Sequence, residues 1–159
     1  MSQRYITVAD LNDWLTRELQ MQPECEGSKL TMKYRLREPD PANGCNWSEA
    51  TVRIGFGCDA GHVGAVAARI VDRARLQFNV LCEKCQELAD APVQTPALAE
   101  HLRPQTPVGS GTGYGLREFR TLEPYDPFRC IGEHGSCNAR WLRVGSGASG
   151  FEWHLHQQD

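Results

Sequence analysis

The sequence predicts an α+β protein: a small α-β-β-α unit in residues 1–80, then a loop-rich, cysteine-containing region in residues 81–159 that closes in a β-hairpin. Three observations carry this. Apolar residues recur at helical spacing near the N-terminus and again after residue 60, which is the mark of two amphipathic helices. Between those stretches the apolar period changes to two, the spacing of half-buried strands. Beyond Val80, Pro, Gly and Cys displace the regular patterns.

Thr7, with Asp10 three residues on, resembles a capping box, and Val8, Leu11, Leu15 and Leu19 follow at helical spacing, so a helix is expected over residues 8–21. Pro23, Gly27 and Ser28 interrupt it. From Lys29, Leu30, Met32, Tyr34 and Leu36 alternate with Lys29, Thr31, Lys33, Arg35 and Arg37, which predicts a strand over residues 29–37 with a basic outer face. Pro39, Pro41, Asn43 and Gly44 make a connection too long for a two-residue turn, and Val52, Ile54 and Phe56 mark a second strand over residues 52–56. Asp59 is placed to cap a second helix whose stripe is Val63, Val66, Ala67, Ile70, Ala74 and Phe78. The sheet face Leu30, Met32, Tyr34, Leu36, Val52, Ile54 and Phe56 is expected to pack under Leu11, Leu15, Val63, Val66, Ile70 and Phe78. A unit of about 75 residues is near the size at which one core becomes marginal, so a third strand or a partner is needed.

Residues 91–115 hold four prolines and alternating glycines, a composition that favours extended chain, with a short helix expected at 97–102. The glycines lack the flanking strand and helix that a phosphate-binding loop requires. The tail pattern at 141–144 and 151–156 reads as a closing hairpin.

With 159 residues the chain makes one domain or two very small ones. Ten cations balance ten anions in the first eighty residues and the remainder carries the net charge of −3, so neither half has the basic excess of a phosphate-tracking surface. No apolar run approaches the ~20 residues of a membrane span, and the expectation is a cytoplasmic protein without a membrane partner. Motifs of the HExxH, GxSxG and Walker A kinds are absent and the acidic residues are dispersed, which points away from an enzyme.

Seven cysteines, an odd number, fit a reducing compartment better than a disulfide framework. Cys82 and Cys85 form a CxxC turn, and Cys130 and Cys137 follow about 45 residues later; four soft ligands in two pairs are what a tetrahedral structural zinc ion takes. His134, inside the second pair, is a substitute ligand. The alternatives are that Cys82 and Cys85 continue the preceding helix as small buried residues, or that a disulfide forms. His154 and His156 share one face of the predicted tail strand, and two ligands alone make no catalytic site. His134 and Asn138 invite comparison with an HNH nuclease, which fails because the chain ends in a strand pattern where that motif needs a helix.

Lys29, Lys33, Arg35, Arg37 and Arg53 form the one candidate nucleic-acid face, offset by Glu38, Asp40 and Glu49. Partner contacts are expected on loop aromatics, namely Trp47, Tyr114, Tyr125 and Phe128, against the plainer alternative that each packs internally. An unpaired ribbon edge also offers a route to a homodimer.

The stretches ITVADLNDWLTREL at 6–19, LREPDPANGCNWS at 36–48 and ARLQFNV at 74–80 resemble short accessory proteins of phages and prophages of GC-rich proteobacteria. The resemblance covers about half the chain, carries no catalytic motif, and does not extend to the cysteine-bearing second half. It implies a binding protein that acts on a host protein or complex inside the bacterial cell, including inhibition of a defence system such as a CRISPR effector. The competing expectation is a zinc-containing accessory factor that binds nucleic acid.

Overall fold

The computed structural model describes residues 3–104, 127–131, 136–145 and 152–157, and shows a mixed α+β protein. The chain divides between Cys82 and Glu83 into two compact units.

In the first unit, helix α1 (Val8–Gln20) starts where Thr7 accepts the Asp10 backbone N–H at 3.1 Å. Helix α2 (Ala60–Gln77) starts where Asp59 accepts the His62 N–H at 2.8 Å. Leu11, Leu15 and Leu19 of α1 and Val63, Val66, Ala67, Ile70 and Ala74 of α2 are buried in one core, each large side chain contributing about 1.5–3 kcal/mol. Strands β2 (Lys29–Met32) and β3 (Ala50–Arg53), named after a short β1 described below, pair antiparallel with Leu30 opposite Val52 and Lys29 opposite Arg53. Leu30 and Met32 face the core.

Helix α1 also closes the outer edge of β2 with its polar side chains. Asn12 accepts the Met32 N–H at 2.8 Å, while the Thr16 hydroxyl accepts the Leu30 N–H at 3.1 Å and donates to the Leu30 carbonyl at 2.9 Å. A bare strand edge is thereby satisfied without a third strand beside it.

Both strands are shorter than the alternation predicts. The first ends at Met32 instead of Arg37, and Tyr34 is exposed; past Met32 the two segments stay joined only by isolated bonds, the Lys33 N–H to the Glu49 carbonyl at 2.8 Å and the Arg37 N–H to the Asn46 carbonyl at 2.9 Å. The second ends at Arg53, and Phe56 is fully exposed instead of lying on the core face. The reason is a tight turn: the Cys58 N–H donates to the Gly55 carbonyl at 3.1 Å, and Gly57 sits at φ +78°.

A second, parallel pair escapes the sequence reading. β1 (Arg4–Ile6) lies beside β4 (Phe78–Val80), with Ile6 opposite Val80. Phe78, expected on the helix stripe, is the C-cap of α2 and opens β4, while still packing partly on the core.

The second unit holds helix α3 (Glu83–Asp90), a 3₁₀ turn (Pro96–Ala99) and an antiparallel sheet in chain order, β5 (Leu102–Pro104), β6 (Pro127–Cys130), β7 (Arg140–Val144) and β8 (Glu152–Leu155). The expected hairpin is present as β7–β8, extended by two further strands. The short helix expected at 97–102 is replaced by the 3₁₀ turn and the start of β5. Trp141 is buried opposite Phe128, whose ring meets Trp153 edge-on at 4.7 Å. The Gln94 carboxamide pins β8, accepting the Trp153 N–H at 2.6 Å and donating to the Trp153 carbonyl at 3.0 Å. Among the described residues no helix is long and apolar enough to cross a membrane.

Candidate metal centre

The CxxC turn straddles the start of α3. Cys82 immediately precedes the first helical residue and Cys85 is the third, so one helical turn presents both sulfurs on one side. β4 intervenes between α2 and this turn, which corrects the alternative that the two cysteines continue the preceding helix. Cys130 ends β6 and Cys137 lies on the return of the same loop. Two backbone bonds close that loop at its neck: the Cys130 N–H donates to the Ala139 carbonyl at 2.9 Å and the Asn138 N–H to the Cys130 carbonyl at 2.9 Å. Asn138 takes the left-handed φ of +63° that this tight return requires.

The four sulfurs of Cys82, Cys85, Cys130 and Cys137 lie within 4.8 Å of one another and all four residues are buried. A tetrahedron of sulfurs at the zinc–thiolate bond length of about 2.3 Å has edges of about 3.8 Å, so the cluster has the size of a metal cage. Four thiolates select a soft or borderline cation and fill every position of a tetrahedron, which leaves none for substrate or water. This is the one such group among the described residues.

His101 joins the cluster, with its Nε2 at 3.2 Å from the Cys85 sulfur. Sequence spacing held no signal for it. It is brought there because Leu102, next in the chain, pairs with Cys130 in the β5–β6 register. His134 lies outside the described residues.

Cys25, Cys45 and Cys58 lie in the first unit and in no metal-sized group among the described residues. Burial pushes the Cys25 thiol up from its ordinary value, with Cys58 and Glu24 nearby adding to the effect. Burial also raises Cys45, opposed by a backbone hydrogen bond at Trp47 and by Arg75. His154 is exposed beside Glu152 at 3.3 Å, and among the described residues it makes no metal cluster with His156.

Two of the four expected partner aromatics, Trp47 and Phe128, pack internally. Trp47 is fully buried and its Nε1–H donates to the Phe78 carbonyl at 3.0 Å, so it packs the core and anchors β4. Phe128 is buried in the second sheet. Tyr114 and Tyr125 lie outside the described residues. Of the basic face, Lys33 pairs with Glu49 at 3.7 Å and Arg37 with Asp40 at 3.6 Å, whereas Lys29, Arg35 and Arg53 are exposed without an ion pair among the described residues.

The most exposed aromatic among the described residues is Phe56. Gly55 before it is seated against the backbone of the 26–28 loop, where a Cβ would lie 2.3 Å from the Glu26 carbonyl oxygen, and its N–H donates to the buried Ser28 hydroxyl at 2.9 Å. Cys58 after it donates to the Glu26 carbonyl at 3.3 Å. The ring therefore stands on a turn fixed at both ends, three residues past Arg53.

No family model, curated protein or solved structure matches this chain.

Proposed function

We propose that the protein is a non-enzymatic binding protein that acts through protein–protein contacts and carries one structural zinc ion on Cys82, Cys85, Cys130 and Cys137. The observation that carries the binding reading is Phe56, a fully exposed ring on a braced turn. Single exposed apolar residues are ordinary, but this one is held in place before any partner arrives, which removes an ordering cost from association. Lys29 and Arg53, directly opposed on the ribbon, add two cations, Arg53 lying three residues before the ring in the chain. Such a surface fits an apolar pocket rimmed by carboxylates. The closed four-sulfur cage supports a structural metal, since hydrolytic zinc keeps an open position.

The resemblance of the first half to phage accessory proteins supports a host protein or complex as the partner, including a component of a defence system such as a CRISPR effector. Affinity capture from bacterial lysate with nuclease treatment tests this, comparing the native protein with Phe56→Ala. One stoichiometric protein retained through nuclease and lost with Phe56→Ala is the expected result; capture that vanishes with nuclease overturns it. Lys29, Arg35 and Arg53, exposed and without an ion pair among the described residues, favour nucleic acid as the second reading. A salt titration separates the two, because a phosphate-driven complex weakens by orders of magnitude between low and physiological salt.

A further inference from the structure

We infer that His101 is a positioning residue of the metal centre: its Nε2–H donates to the Cys85 sulfur and holds that thiolate against the ion. The inference rests on the zinc reading above. A metal-bound cysteine has lost its thiol hydrogen, so across the 3.2 Å between Nε2 and Sγ the imidazole is the group with a hydrogen to give. Four thiolates on a divalent cation leave two net negative charges inside a buried cluster, and such charge is stabilised by hydrogen bonds from its surroundings. The backbone around His101 is fixed by the pairing of Leu102 with Cys130, which ties the donor to the strand that carries another ligand. Four sulfurs already complete a tetrahedron, so the imidazole acts on a ligand and is not itself one. An N–H···S bond withdraws electron density from the sulfur, making it a poorer nucleophile, while the fixed imidazole orients the thiolate toward the ion and offsets the cluster's negative charge.

The full chain is loaded with Zn²⁺ or Co²⁺ and compared with His101→Phe and His101→Gln. The phenylalanine variant is expected to lose metal to a chelator about tenfold faster, the lower end of the usual effect of outer partners. Iodoacetamide should alkylate its Cys85 faster. The sulfur-to-cobalt charge-transfer band should move to lower energy while the visible bands keep a four-sulfur tetrahedral pattern. Glutamine, which retains an N–H donor, should restore native behaviour. Rates and spectra unchanged in His101→Phe overturn the inference, as does a glutamine variant that behaves like phenylalanine. A native cobalt spectrum of three sulfurs and one nitrogen also overturns it, since His101 would then be a ligand. If His101→Phe does not fold, His101→Ala is read with and without added imidazole, and restoration by imidazole takes the place of the glutamine rescue. Failure of the native chain to give any tetrahedral thiolate spectrum is a different result, which removes the metal centre itself.

Discussion

The carboxamide of Asn46 hydrogen-bonds in both directions with the backbone of Val80: the Val80 N–H donates to Oδ1 at 2.9 Å and Nδ2 donates to the Val80 carbonyl at 2.8 Å. Asn46 thus does for the open side of β4 what a further strand would do. The Asn46 N–H donates in turn to the Asn79 side chain at 2.9 Å, and all of these groups are buried. Asn46→Ala should leave two buried backbone groups of Val80 unsatisfied, at about 1–3 kcal/mol each. Urea unfolding of the first unit is expected to show a loss in that range; a loss below about 0.5 kcal/mol would mean that water replaces the amide at no cost.

Gly55 and Phe56 are adjacent and should respond in opposite ways. A methyl at Gly55 meets the Glu26 carbonyl, a backbone atom that cannot swing aside, so Gly55→Ala is expected to cost about 1–3 kcal/mol as overpacking does. Phe56 touches solvent only, and Phe56→Ala should change stability by no more than about 0.5 kcal/mol. Thermal melts of both variants check this. A large destabilisation by Phe56→Ala would show that the ring packs internally.

Ligand binding and folding are one equilibrium at a structural zinc site. Protein purified without added metal should carry one equivalent of zinc by elemental analysis, and Cys82→Ser or Cys130→Ser should abolish it. A chelator should release amide protection in the second unit first, while α1 and α2, whose neighbouring Cys25, Cys45 and Cys58 are not ligands, remain helical. Zinc well below half an equivalent, with an unchanged melting temperature in Cys82→Ser, would refute the metal centre.

Alkaline pH should weaken the first unit. The folded Cys25 thiol ionises above its ordinary value of 9.0 because it is buried, so the fold favours the neutral form. That contribution is complete below the unfolded value and is lost as pH rises through the raised one. Cys45 acts in the same direction, less its offsets from Trp47 and Arg75. The fall of melting temperature above about pH 9 should flatten in Cys25→Ala; an equal slope in both proteins would show that other groups govern alkaline unfolding.

Local spacing encodes α1 and α2 with their caps at Thr7 and Asp59, the alternation that buries Leu30 and Met32, the tail hairpin, and the proximity of Cys82 to Cys85. These are properties of spacing along one segment, and the helical and strand periods report them directly. Where the strands stop and what completes them depends on contacts between segments distant in the chain. Three-residue strands such as β1 and β4 are too short to show a period, and their pairing across more than seventy residues depends on which backbone groups are left open after the helices pack. Trp47 turned inward because β4 offered it a carbonyl, and Phe56 turned outward because Gly55 is locked to the neighbouring loop. His101 reached Cys85 because the β5–β6 register set Leu102 beside Cys130, a relation that no local pattern encodes.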